Sequence, residues 1–229
     1  VNASTAPLVA VTSPSGDVRA VALVLHGGRS ESREPVSARQ LSVLRMLPFA
    51  RSLAVAGGSS GLAVWRVRYR LRGWNGTEAS PVRDVAEVLE LAAHRHPGVP
   101  VALVGYSMGG RVALTLASRP GVRTVVALAP WVTESARPEE LEGRHALFMH
   151  GARDRTTDAH LTAAFAMRVA PLSASCGMVG VRGDGHAMVR RPRVWHRLTT
   201  GFVLSSVGFR QASAELTSVL ERNGAKVEL

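Results

Sequence analysis

With 229 residues, 46% of them hydrophobic, the chain can bury one sizeable core, and it is read as a single domain over 1–229. Its formal charge of +11 comes from arginines scattered along the chain, with Lys226 the only lysine, and no basic run carries interleaved aromatics, so a nucleic-acid partner is not expected. No segment reaches the roughly 18 consecutive apolar residues of a membrane span, the first residues lack the basic start of a signal peptide, and Cys176 as sole cysteine excludes an internal disulfide or a multi-cysteine zinc site; the expectation is a cytoplasmic protein without a membrane partner.

Short apolar runs alternate with amphipathic segments, the pattern of an α/β fold whose mostly parallel central sheet carries helices on both faces. Strands are predicted at 8–12 and 18–26, and the turn-forming SPSGD between them suggests a hairpin. A helical pattern over 37–56 is interrupted by Pro48, which predicts a kink or two short helices. GGSSG at 57–61 lacks the lysine of a nucleotide loop and precedes a strand, so it reads as a connector. After a strand at 62–69, Ser80 and Pro81 open a helix, Ser as a cap and Pro in the first turn, with Val82, Val85, Val88, Leu89 and Ala92 as its apolar stripe. Further strands are predicted at 101–105, 124–129, 146–150 and 178–182, and a terminal helix over 213–222.

The strongest signal is VALVGYSMGG at 101–110, where a buried strand runs through Gly105, Ser107 and Gly109 into a helical pattern. A serine on so sharp a strand-to-helix turn needs small neighbours two positions away on either side, because the chain folds back against them. The following helix aims its free N–H groups and positive dipole end at the place where negative charge gathers during attack. Such a serine also needs a base, and the base needs a partner on its other ring nitrogen. Of eight histidines, His186 in GDGHAM follows the last parallel strand predicted, on a loop whose glycines let it reach back over the sheet edge.

Four motifs in order, LHGG at 25–28, GYSMGG at 105–110, HGARD at 150–154 and GDGH at 183–186, resemble those of the α/β-hydrolase superfamily, in particular its small lidless carboxylesterases and esterases similar to dienelactone hydrolases. The resemblance spans most of the chain and implies an α/β-hydrolase fold with Ser107 as nucleophile, His186 as general base and Asp154 as orienting acid. Asp184, two residues from His186, is the reserve acid, and Asp158 is read as supporting the next helix. The oxyanion donors implied are the amides of Gly28 and Met108, with Arg29 as the alternative to Gly28; the Met108 side chain either lines the acyl pocket or packs. In that family, histidines placed like His26 and His150 brace loops through backbone hydrogen bonds.

WVTESARPEELEGRH, at 131–145, is too short to hold a large cap, so an open cleft is expected, with Trp131 as an aromatic wall or as loop packing. Trp74 and Asn75 in RYRLRGWNG, and Arg29, are the other candidates for substrate contact. Arg68, Arg70 and Arg72 are expected in structural pairs with acidic residues; facing the cleft, they would favour an anionic substrate. The function expected is hydrolysis of small carboxylic esters or thioesters through an acyl-enzyme, with no metal or organic cofactor. The alternatives are a hydrolase-fold binding or regulatory protein with an idle triad, and an acyltransferase.

Overall fold

The computed structural model describes residues 6–229. Eight strands form one sheet: β1 (Leu8–Thr12), β2 (Ala20–Leu25), β3 (Leu62–Arg68), β4 (Val101–Tyr106), β5 (Val122–Leu128), β6 (His145–Gly151), β7 (Ser175–Val181) and β8 (Lys226–Glu228), in the spatial order β1-β3-β2-β4-β5-β6-β7-β8. All pairs are parallel except β1 with β3. The helices are α1 (Leu41–Leu44), α2 (Leu47–Gly57), α3 (Ser80–Arg95), α4 (Met108–Thr115), α5 (Ala159–Val169), α6 (Pro192–Ser206) and α7 (Ala214–Glu221). No helix among the described residues is long and apolar enough to cross a membrane.

The central strands read as continuous apolar runs because both faces are covered. In β2, Val21, Leu23 and Leu25 enter the core beneath α3, α4 and α5, while Ala20, Ala22 and Val24 enter the other core beneath α2, α6 and α7. The same alternation in β4 sends Leu103 to the first core and Val104 to the second, as the two-residue strand period requires.

The predicted hairpin does not form. β1 pairs antiparallel with β3, Leu8 opposite Arg68 and Thr12 opposite Val64, and β2 lies on the far side of β3. Every residue of β2 is buried, so that strand belongs inside the sheet with a neighbour on each edge, whereas the mostly exposed β1 suits the rim. The segment between them carries the chain across: the amides of Arg19 and Ala20 both donate to the Gly61 carbonyl at the entry to β3.

Local signals act as their chemistry requires, with one exception. Pro48 stands in the first turn of α2, so the 37–56 pattern resolves into two helices. GGSSG makes a short 3-10 turn and then a left-handed Gly61, as a connector. The exception is Ser80, which lies inside α3 and caps nothing; its hydroxyl accepts a hydrogen bond from the Asn75 side-chain amide at 3.2 Å. Between β5 and β6 there is only a short 3-10 turn, Pro138–Leu141, and no large cap covers the C-terminal edge of the sheet.

Candidate active site

The turn from β4 into α4 holds Ser107 at φ 55° and ψ −115°, a conformation that crowds any residue with a side chain. Its flanking glycines are required by contact: a Cβ on Gly105 would stand 2.1 Å from the Gly109 carbonyl oxygen, and one on Gly109 would stand 2.6 Å from the carbonyls of Leu25 and His26. The turn is pinned by the backbone, the Ser107 amide donating to Leu128 at 2.9 Å and the Ser107 carbonyl accepting from Arg111 at 3.2 Å and Trp131 at 3.1 Å.

Three elements converge on this serine. Its hydroxyl oxygen lies 3.0 Å from His186 Nε2, and His186 Nδ1 lies 2.8 Å from Asp154 Oδ2. A carboxylate only accepts, so Nδ1 carries the proton and Nε2 is left to accept from the serine hydroxyl. The imidazole also lies against Tyr106, ring centroids 5.1 Å apart, and the next residue, Ala187, is tied through its carbonyl to the Arg45 guanidinium.

Asp154 is buried and heavily donated to. Oδ2 receives the Thr157 hydroxyl at 3.0 Å and faces His150 Nε2 at 3.1 Å, while Oδ1 accepts from the amides of Thr156 at 2.8 Å and Thr157 at 3.1 Å. Burial by itself would raise its pKa, but the hydrogen bonds from His150, His186 and the two amides outweigh it and hold the carboxyl well below the usual range. His150 therefore does more than brace a loop: besides the Thr157 carbonyl at 3.3 Å it reaches the acid itself, its other nitrogen resting 3.0 Å from the Thr162 hydroxyl. Sequence reasoning missed this contact and Thr157; the one available signal was the four-residue spacing of His150 and Asp154 across a loop. Asp184 is elsewhere, accepting from the Trp195 indole at 2.9 Å and from the amides of Gly185, Arg190 and Arg191 ahead of α6, so it is no reserve acid. Asp158 caps α5 through the amides of His160 and Leu161.

The loop after β2 runs beside the serine, since a Cβ on Gly27 would stand 3.3 Å from Ser107 Cβ. The Arg29 amide is already donated to the Arg72 carbonyl at 2.9 Å, whereas the amides of Gly28 and Met108 donate to no other described residue. Of the two amides weighed as oxyanion donors, Gly28 and Arg29, only that of Gly28 has no backbone acceptor among the described residues. The Met108 side chain is fully buried against Gly28, where a Cβ would meet its methyl at 2.3 Å, so it packs and does not line the cleft.

His26 holds this loop. Its Nδ1–H donates to the Gly27 carbonyl at 2.6 Å and its Nε2 accepts the Tyr69 amide at 3.3 Å. Burial lowers its pKa to about 4, partly offset by the Gly27 hydrogen bond, with Arg68 adding to the depression. The native state thus takes up this proton only near pH 4, whereas the unfolded chain does so near pH 6.5. Its contribution to stability is complete above pH 6.5 and falls by roughly 3 kcal/mol as the pH drops to 4. Urea titrations between pH 7 and 4.5 are expected to show a declining midpoint, with a shallower decline in His26→Gln; parallel declines in the two proteins would refute this origin.

Trp74 and Trp131 meet edge to face, centroids 6.1 Å apart, along a cavity of about 230 Å³, and the Arg29 carbonyl accepts the Trp74 amide at 2.9 Å. The Arg29 side chain is exposed. Asn75 braces the loop: its side-chain oxygen accepts the Ser32 amide at 2.9 Å and its side-chain N–H₂ donates to Ser32 and Ser80. Arg70 grips buried Asp84 at 2.6 Å and Glu87 at 2.7 Å, and Arg72 pairs with Glu34. These are the structural pairs expected, while Arg68 has no acidic partner among the described residues.

The family described as serine aminopeptidase, S33, matches residues 58–146. Human monoglyceride lipase is 35% identical over 129 residues, a match covering 55% of this chain, so the chain spans about two fifths (39%) of the length of that curated relative. Among solved structures, an alpha-beta serine hydrolase homologue from Coxiella burnetii superposes with a TM-score of 0.64 at 18% identity, over 87% of this chain and 93% of the other. An a/b serine hydrolase without lid from Xanthomonas campestris gives 0.62 at 21% identity, over 87% and 88%. With a mostly parallel eight-stranded sheet, a strained serine on the turn after its fourth strand and no large cap, the chain has the α/β-hydrolase fold.

Proposed function

We propose that the protein is a serine hydrolase that cleaves carboxylic esters or thioesters through an acyl-enzyme on Ser107. The observation that carries this reading is the unbroken relay from the Ser107 hydroxyl to His186 at 3.0 Å and on to Asp154 at 2.8 Å. His186 takes the hydroxyl proton on Nε2 as the serine oxygen attacks the carbonyl carbon, and ionised Asp154 steadies the imidazolium that results. The oxyanion is received by the amides of Gly28 and Met108, each such donor being worth about 10²-fold or more in rate. His186 then gives its proton to the departing alcohol or thiol, and the acyl group stays on the serine oxygen. Water, deprotonated by the same imidazole, attacks the acyl carbon and releases the acid and the free serine. Trp74 and Trp131 supply the aromatic wall along which the substrate lies.

A fluorophosphonate probe tests the reading: the folded protein is expected to take up one equivalent at Ser107, identified by peptide mass mapping. Absence of labelling in folded protein would leave a binding protein with an idle triad as the better account.

A further inference from the structure

We propose that the Arg111 guanidinium is an anion subsite for a carboxylate carried by the acyl substrate at the end remote from its scissile bond. The inference rests on the hydrolase reading above, because it assigns a substrate class to the same site.

Arg111 lies one helical turn beyond Ser107, and its guanidinium carbon stands 3.9 Å from the Trp74 ring centroid and 4.3 Å from that of Trp131. The two indoles meet at 74°, so the cation sits in the corner they make and is held there by both rings, well within the roughly 6 Å reach of a cation–π contact. What it lacks is an anion. Among the described residues the guanidinium has no ion pair, and none of its five N–H groups is donated to any of them. Burial lowers its pKa with no acidic neighbour to offset the effect. Two other partly buried arginines do have counter-charges, Arg70 in Asp84 and Glu87, and Arg72 in Glu34. A half-buried cation without a counter-charge is costly, which makes this one unfinished business for a ligand.

The place it faces is a built cavity of about 230 Å³, whose lining includes Trp74, Trp131, Phe165 and Leu114 as apolar walls and Arg137 as a second cation. The one carboxylate in the lining, Glu140, accepts a hydrogen bond from the Ser118 hydroxyl. Two cations against one anion leave room for one further negative charge. Two of its walls are tied to the backbone of the site: the Trp131 amide donates to the Ser107 carbonyl, and the Trp74 amide donates to the carbonyl of Arg29, next to Gly28. A short aliphatic arm along the indoles, ending in a carboxylate forked on the guanidinium edge, satisfies both the apolar walls and the free N–H groups.

The test compares 4-nitrophenyl hemiadipate with 4-nitrophenyl hexanoate, six-carbon acyl groups that differ in the terminal carboxylate, in the full chain and in Arg111→Gln and Arg111→Lys. The ratio of kcat/KM for the charged over the neutral ester is expected to fall at least about tenfold in Arg111→Gln and to be largely kept in Arg111→Lys. An unchanged ratio in Arg111→Gln would overturn the proposal, since a purely structural role would depress both substrates together. Binding is read separately on Ser107→Ala: monomethyl adipate is expected to shift the Arg111 Nε–H NMR signal saturably, and methyl hexanoate is not. Saturable binding without hydrolysis of either ester would keep the subsite and remove the hydrolase reading. Hydrolysis with an unchanged ratio and no shift would do the reverse.

Discussion

Replacing Ser107 by alanine is expected to lower kcat on a 4-nitrophenyl acyl ester by a factor on the order of 10⁶ and to abolish the initial burst of nitrophenol. The size follows from what is removed. Without the hydroxyl no acyl-enzyme forms, and His186 and Asp154 are left with nothing to activate except water in an unfavourable position. The amides of Gly28 and Met108 and the walls of the cleft survive, so a residual acceleration of about 10³-fold over solution is expected to persist. The hydroxyl's hydrogen bond to His186 is the one side-chain bond lost, so the melting temperature is expected to change little. Stopped-flow release of nitrophenol checks both points, and turnover comparable to wild type would end the assignment of Ser107.

The second large effect is at Asp154. Asparagine there is expected to reduce kcat by up to about 10⁴, because it removes the charge that steadies the imidazolium and can turn an N–H₂ group towards Nδ1, holding His186 in the wrong tautomer. The structure adds a second consequence. Four donors besides His186 converge on this carboxylate, from His150, the Thr157 hydroxyl and the amides of Thr156 and Thr157, so an amide would face donor against donor in a buried place. A loss of about 1–3 kcal/mol in stability is therefore expected alongside the kinetic loss, with the fold retained. Urea denaturation and steady-state kinetics on the same preparation measure the two separately. A fall in kcat of less than tenfold would remove Asp154 from the mechanism, and Asp184 could not replace it from its position against Trp195.

The strands inside the sheet were legible because burial on both faces writes itself into the chain as unbroken apolar runs, as in Ala20–Leu25 and Val101–Tyr106. The partner of β1 was not legible: which edge a rim strand joins is decided by its neighbours, and SPSGD is equally compatible with a hairpin and with a passage across β3. β8 was missed because Lys226–Glu228 is short and charged at both ends, and it becomes a strand only because β7 offers it an edge. Around the serine, the motif residues could be read because tight turns demand particular residue types. His150, Thr157 and Arg111 could not, since a histidine, a threonine and an arginine carry no mark of what they will face until the loops are folded.

The left-handed backbone at Ser107 sets a term of exchange between durability and reactivity. Glycine would occupy that conformation with less strain, by about 1–3 kcal/mol, and would remove the hydroxyl on which the proposed acyl-enzyme forms. The chain keeps a side chain there because β4 and β5, whose facing residues are almost wholly enclosed, clamp the turn too firmly for it to relax. Rigidity at the middle of the sheet is thus what allows one uncomfortable residue to stay poised at its edge.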